Sequence, residues 1–277
     1  MSVVINTNYA AVLARKNLAE VQRQMDRSVE RLSSGKRINN AADDAAGSAI
    51  AGRMESQIRG LTMGIRHAKD GQSLVGTSEG AMQEINKMLQ RMRELAIQAA
   101  SGVANSVDKD YLNLEMGQLV SQVEAISANT KFNDQQLLKG GRFTFYTDID
   151  VAGTAITTDA ADMAVTSLNV AMSVVSIGGA VAQAGLSNVI SAIDDALAIV
   201  DNRRAALGAV SNRFDHIIDN LQNVIMNTVQ SQSRIVDADF SIETTNLTRN
   251  TVLQQAATSM LAQANAQKNS VLALIQQ

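Results

Sequence analysis

The chain has 277 residues and a net charge of −3, with no Cys, no Pro, no Trp and only 3% aromatic residues. That charge balance offers no basic face for nucleic acid, and the missing cysteine excludes disulfides, thiolate metal sites and a cysteine nucleophile. The 45% apolar content, carried by Ala, Val, Ile, Leu and 12 Met, suits thin helix–helix seams better than a thick mixed core, and without proline long helices run uninterrupted.

Met1 to Tyr9 carries no positive charge, and no apolar run with a small-residue cleavage site follows it, so any export is expected to proceed without a cleaved signal peptide. The most apolar stretch, Val170 to Leu186, is interrupted by Ser173, Ser176, Gly178, Gly179 and Gln183. It also falls short of the ~20 residues of a bilayer span, so no membrane insertion is expected.

Residues from about Asn6 to Leu32 read as one helix, with Leu18, Val21, Met25, Val29 and Leu32 spaced by three and four. A strip this narrow buries itself only against another helix. Ser33-Ser34-Gly35 ends the helix, Gly35 being free to take the left-handed conformation of a C-terminal cap. A polar connector, Lys36 to Asn40, leads to Asp43 and Asp44, whose negative charge favours the start of the next helix.

Ala45 to Ala100 is helical by periodicity, yet Gly60, Gly64, Gly71, Gly76 and Gly80 fall within it. Each costs about 1 kcal/mol relative to Ala. Either the helix breaks between Gly60 and Gly80, or glycine permits close packing there. A further helix is expected from about Asp108 to Asn129, on Leu112, Met116, Leu119, Val123 and Ile126.

The texture then changes. Arg142 to Ile149 holds Phe143, Phe145 and Tyr146 in alternation with polar residues, and Gly153-Thr154 precedes Ala155-Ile156-Thr157, which predicts a β-hairpin. From Leu186 to Thr228, 13 positions alternate at steps of four and three, and ten of them are apolar where 45% composition gives about six by chance. Continued to Arg234, this helix is nearly fifty residues, or about 70 Å. Asp237-Ala238-Asp239-Phe240 interrupts it before a final heptad strip of Leu253, Ala257, Met260, Ala264, Gln267, Val271 and Leu274.

The predicted fold is therefore mainly α: a long antiparallel helical rod or coiled-coil bundle with a small β-hairpin region at about residues 140–185. The N- and C-terminal helices pair as a coiled coil.

Little chemistry is visible. His67 and His216 read as seam or surface residues, and no HExxH, GxSxG, phosphate-loop or CxxC motif occurs. Asp43-Asp44 and Asp194-Asp195 lie near helix starts, where capping explains them. Asn246-Leu247-Thr248 matches a glycosylation pattern that chance readily produces. Met82, Met88, Met92 and Met116 are spaced to fill seams. Arg91, Leu95 and Gln98 fall within about 60° of arc beside Ile85, Met88, Met92 and Ala99, which on its own reads as a solvated flank. No catalytic, cofactor or metal site is expected.

Motifs in both thirds carry a resemblance. The first holds Ile5-Asn6-Thr7-Asn8, Arg31-Leu32-Ser33-Ser34-Gly35-Lys36-Arg37-Ile38-Asn39, Ala42-Asp43-Asp44-Ala45-Ala46-Gly47 and Leu89-Gln90-Arg91-Met92-Arg93-Glu94-Leu95-Ala96. The last holds Leu207-Gly208-Ala209-Val210, Ser233-Arg234-Ile235 with Asp237-Ala238-Asp239, and Gln263-Ala264-Asn265. In this order they resemble a bacterial flagellin over about residues 1–140 and 186–277. The chain is a short form: Gly140 to Gly185 stands where the family often carries large outer domains. Ala266 follows Ala264-Asn265 where the family often has proline.

The resemblance implies a subunit that polymerises with itself into the flagellar filament, extracellular and exported by the flagellar type III apparatus. Residues 1–40 and 240–277 would form an inner tube, ordered on assembly, with residues 41–239 around it. A secretion chaperone on the C-terminal helices, hook-junction proteins and a cap protein are the implied partners. Positions at which the family contacts a vertebrate Toll-like receptor match at Arg91, Leu95, Gln98 and Glu115, on a face expected to be buried in the filament. The resemblance also allows O-glycans on Ser and Thr around Thr144 to Thr166. Two other readings stay open: a hook–filament junction protein, present in few copies, and a cytoplasmic coiled-coil adaptor, which would not polymerise. An enzyme on a helical scaffold finds no nucleophile–base pair to support it.

Overall fold

The computed structural model describes residues 7–147, 155–162, 167–168, 176–178 and 183–275, with side chains described except at 158–162, 183–184 and 267–275. Among these lie helices α1 (Tyr9–Ser34), α2 (Ala45–Ala100), α3 (Ser106–Asn129), α4 (Gln183–Val236) and α5 (Phe240–Ile275). The strands are β1 (Lys131–Phe132), β2 (Gln135–Gln136), β3 (Lys139–Tyr146) and β4 (Ala155–Asp162). Two compact units result: residues 1–58 with 226–277, and residues 59–225.

In the first unit, the helix ends follow from their capping residues. The Asn8 side chain accepts a hydrogen bond from the Ala11 amide at 3.1 Å, and Gly35 closes α1 at φ 69°, a conformation glycine takes without a Cβ clash. Asp44 Oδ1 accepts from the Gly47 amide at 2.8 Å to open α2, and Asp239 Oδ1 accepts from Ser241 at 2.8 Å to open α5. The two connectors meet: Lys36 and Asp237 form an isolated antiparallel bridge. Around it the Arg37 amide donates to the Val236 carbonyl at 2.6 Å and Ala238 to Gly35 at 3.0 Å.

In the second unit, α2 does not break. Gly64 and Gly71 are buried and serve close packing: a Cβ at Gly64 would lie 2.5 Å from the Thr147 carbonyl oxygen, and one at Gly71 2.5 Å from the Phe214 ring. Gly76 and Gly80 face open space, so their helical cost is simply carried. A continuous apolar face, Met82, Ile85, Leu89, Met92 and Leu95, packs with Met116, Val120 and Val123 of α3 and with Ile193, Val200 and Phe214 of α4. All 13 periodic positions of α4 are buried or half-buried. Helix α3 opens with a capping box, Asn105 and Asp108 each accepting from the other's backbone amide.

The predicted hairpin is present as β3 paired antiparallel with β4, Phe145 opposite Ile156; Ile149, Gly153 and Thr154 lie outside the described residues. Phe145 meets Phe214 edge to face, centroids 5.6 Å apart, which ties the sheet to the helical core. A second hairpin, β1 with β2, has no counterpart in the sequence reading. Its loop, Asn133-Asp134, has φ of 49° and 63°, the conformation of a type I′ turn, which more often carries glycine.

Candidate functional site

Helices α1 and α5 pair antiparallel. On α1 the inward positions are Ala11, Ala14, Leu18, Val21, Met25, Ser28 and Leu32; on α5 they are Glu243, Leu247, Asn250, Gln254, Ala257, Leu261 and Ala264. Both run in strict steps of three and four, as a coiled-coil seam requires. The contents are unusual, however, because three of its four buried side chains, Ser28, Glu243 and Asn250, are polar, and only Ala11 is apolar.

The sequence-predicted seam residues are therefore only partly in it. Leu18, Val21, Met25, Leu32, Ala257 and Ala264 are half-buried there. Val29 is 49% exposed, Leu253 44% and Met260 64%, because the adjacent Ser28, Gln254 and Leu261 take the inward positions. Val271 and Leu274 lie outside the residues whose side chains are described.

Polar contacts then fix the register. Arg31 Nη1 pairs with Glu243 Oε1 at 3.0 Å, Gln254 Nε2 donates to Gln22 Oε1 at 2.7 Å, and Asn8 Nδ2 donates to the Ala264 carbonyl at 3.0 Å. A slip of one heptad breaks all three, leaving Glu243, 6% exposed, without its counter-charge. Hydrogen-bonded charges of this kind select one alignment rather than add stability.

This unit also leaves much apolar surface uncovered. Tyr9, Val12, Leu13, Met226, Phe240, Ile242, Val252 and Met260 are among its exposed large side chains. Scattered exposed apolar residues are ordinary, but a concentration of them is the kind of surface at which proteins associate.

The flank of Arg91, Leu95 and Gln98 divides. Leu95 is fully buried in the core, because it lies in line with Met92 and Ala99 on the inward face of α2. Arg91 and Gln98 are exposed. Arg91 Nε donates to Glu115 Oε1 at 2.8 Å and its Nη1 to Glu94 Oε2 at 3.1 Å; these hydrogen bonds, Glu115 first, raise the guanidinium pKa above its ordinary value. Gln98 lines a hollow of about 420 Å³ with Tyr111 and Val103. His67 is exposed, Nδ1 3.0 Å from the Tyr146 carbonyl, and His216 is exposed. Among the described residues no group of three His, Asp or Glu is placed to hold a metal, and no helix is long and apolar enough to cross a membrane.

Fold and site together define a class: a mainly helical chain whose first and last helices form one coiled-coil pair with apolar side chains exposed on it. The family follows from comparison. The bacterial flagellin N-terminal helical region matches residues 5–142 and the C-terminal helical region matches residues 190–275, so the chain belongs to the bacterial flagellin family. A flagellin of Halalkalibacterium halodurans is 39% identical over 99% of this chain and 100% of its own. Flagellin FlaB1 of Treponema pallidum is 34% identical over the same shares. Flagellin E of Vibrio cholerae is 32% identical, but the alignment runs to 376 positions, so that relative carries sequence with no counterpart here. A solved structure provisionally described as a flagellar hook-associated protein of Vibrio parahaemolyticus shares the fold, with a TM-score of 0.61 at 14% identity, over 70% of this chain and 100% of that one. As a flagellin, the chain is a structural subunit that polymerises with itself into the bacterial flagellar filament, outside the cell.

Proposed function

We propose that α1 and α5 carry the polymerisation, as a pair that lines the axial channel of the filament, with residues 41–239 in the surrounding wall. One observation carries this reading: the pair is held by a thin seam whose buried side chains are mostly polar, while its large apolar side chains, Tyr9, Val12, Leu13, Ile242, Val252 and Met260, face outward. Covering them at about 25 cal/mol per Å² is the driving force for association, and in a homopolymer neighbouring copies provide that cover. Helical reconstruction from electron cryo-images tests it. Density for α1 and α5 at the smallest radius is the expected result; those helices at the outer surface would overturn it.

Export without a cleaved signal peptide, a cytoplasmic chaperone on the C-terminal helix, and docking to hook-junction and cap proteins belong to the same proposal, supported by family membership and by an apolar α5 face that needs cover before assembly. Recognition by a vertebrate Toll-like receptor is supported by Arg91, Gln98 and Glu115, which lie accessible along α2 and α3. Leu95 contributes from beneath, by holding α2 in place. In a reporter-cell assay with monomer, Arg91→Ala and Glu115→Ala are expected to lower the response; unchanged signalling, or a silent wild type, rules out the receptor reading.

A further inference from the structure

Beside the polar seam, α1 and α5 enclose a groove of about 280 Å³ whose lining includes Arg27, Arg31 and Arg249, with Gln24, Asn246 and Asn250 between them. Three guanidiniums share it with one carboxylate, Glu243, which Arg31 occupies. Arg27 and Arg249 are exposed and have no ion-pair partner among the described residues. Arginine's planar donor fork suits a carboxylate, and the amides add donors.

Farther round α1, by roughly 100° at 100° per residue, Asp26 and Glu30 stand one turn apart and exposed. Among the described residues they accept hydrogen bonds only from uncharged amides, Gln22 to Asp26 at 3.0 Å and Asn40 to Glu30 at 3.3 Å. One subunit thus carries a cationic groove and an anionic ridge side by side on one helix, Glu30 about 60° round from Arg27 and the two patches about 100° apart on average. A contact that joins two different patches of identical copies does not close on itself in pairs, and generates rings or open helical filaments.

We propose that the Arg27–Arg31–Arg249 groove receives the Asp26–Glu30 ridge of a second copy, setting the lateral register between neighbouring terminal helix pairs. This rests on the reading that α1 and α5 line the axial channel, packed against the same helices of neighbouring copies. The apolar surface supplies cohesion, and the charges select which neighbour fits and at what height. Because the partners lie at a surface before assembly, the contact strengthens as salt falls below about 0.15 M, where the Debye length is about 8 Å.

The test is charge exchange in the full chain. Arg27→Glu/Arg249→Glu gives a copy with two anionic patches, and Asp26→Lys/Glu30→Lys gives one with two cationic patches. At low salt each alone is expected to need about tenfold more protein than wild type to polymerise. An equimolar mixture is expected to form filaments near the wild-type concentration, because each groove then meets an opposite ridge. Either variant polymerising alone as wild type does would overturn the proposal. So would a mixture that stays monomeric while both variants keep wild-type helicity. Should a reversal unfold the pair, Arg27→Gln/Arg249→Gln and Asp26→Asn/Glu30→Asn serve instead: each is expected to flatten the salt dependence of assembly, and an unchanged salt dependence would overturn the proposal. Wild type run alongside separates the two claims, since its failure to polymerise would strike the filament role and not this contact alone.

Discussion

Alanine at Gly71 and alanine at Gly76 are expected to shift stability in opposite directions, although the two glycines lie five residues apart on the same helix. Relative to glycine, alanine gains about 1 kcal/mol in a helix interior. At Gly76 nothing lies within 4 Å of the added Cβ, so the full gain is expected. At Gly71 the Cβ falls 2.5 Å from the tip of the Phe214 ring and 3.0 Å from two further ring carbons. A ring tip can yield where a side chain is free, but Phe214 is fully buried and braced edge-on by Phe145. Overpacking of this kind costs about 1–3 kcal/mol, which outweighs the propensity gain and leaves Gly71→Ala destabilised by up to about 2 kcal/mol. Urea unfolding followed by helical circular dichroism reads the difference, as a higher midpoint for Gly76→Ala and a lower one for Gly71→Ala at unchanged slope. Equal midpoints for the two variants would refute the claim that glycine in α2 is retained for close packing.

Other perturbations probe the remaining parts. Arg31→Ala leaves Glu243 buried without its counter-charge and is expected to loosen the terminal pair by about 1–3 kcal/mol, part of the penalty being relieved by solvent at the half-exposed site; faster proteolysis within α1 and α5 reports it. Asp134→Gly relieves a left-handed residue in the β1–β2 turn and is expected to stabilise by about 0.5–1 kcal/mol, readable in the same urea titration. The Asp43 carboxylate accepts from the Asn40 and Asn39 amides, which lower its pKa below the ordinary 3.8. Its contribution is therefore complete above that ordinary value and is lost as pH falls through the lower folded value; a carboxyl NMR titration is expected to place the Asp43 midpoint below 3.8. Leu95→Ala opens a cavity in the core and is expected to cost about 2–5 kcal/mol, measured as a lowered unfolding midpoint.

How much of this was legible in the sequence depended on what fills each seam. Along α4 the inward residues are apolar at ten of 13 positions, so hydrophobic periodicity located the face. On α5 the inward residues include Glu243, Asn250 and Gln254, and a reading keyed to apolar spacing moved to Leu253 and Met260, one position away. Val29 displaced Ser28 on α1 for the same reason. Ser28 and Asn250 could have been found by asking which polar residues align across an antiparallel pair, a question apolar periodicity does not pose. The hairpin of β3 and β4 was legible because alternation and aromatics coincide there, whereas β1 and β2 are two residues each, too short to show a period. In sequence Leu95 shares an arc with Arg91 and Gln98, but an arc of about 60° on a helix can straddle the edge of a core. The glycines of α2 were ambiguous in sequence because their cost is local, whereas their benefit lies in Thr147 and Phe214, distant in the chain.

The central claim is that this chain polymerises through its paired ends. The most direct measurement is negative-stain electron microscopy of the purified protein, concentrated and seeded, with limited proteolysis before and after. Long filaments of uniform width, with residues 1–40 and 240–277 passing from cleavable to protected, are the predicted result. A protein that stays monomeric in the presence of seeds, its ends still cleaved, would contradict the account.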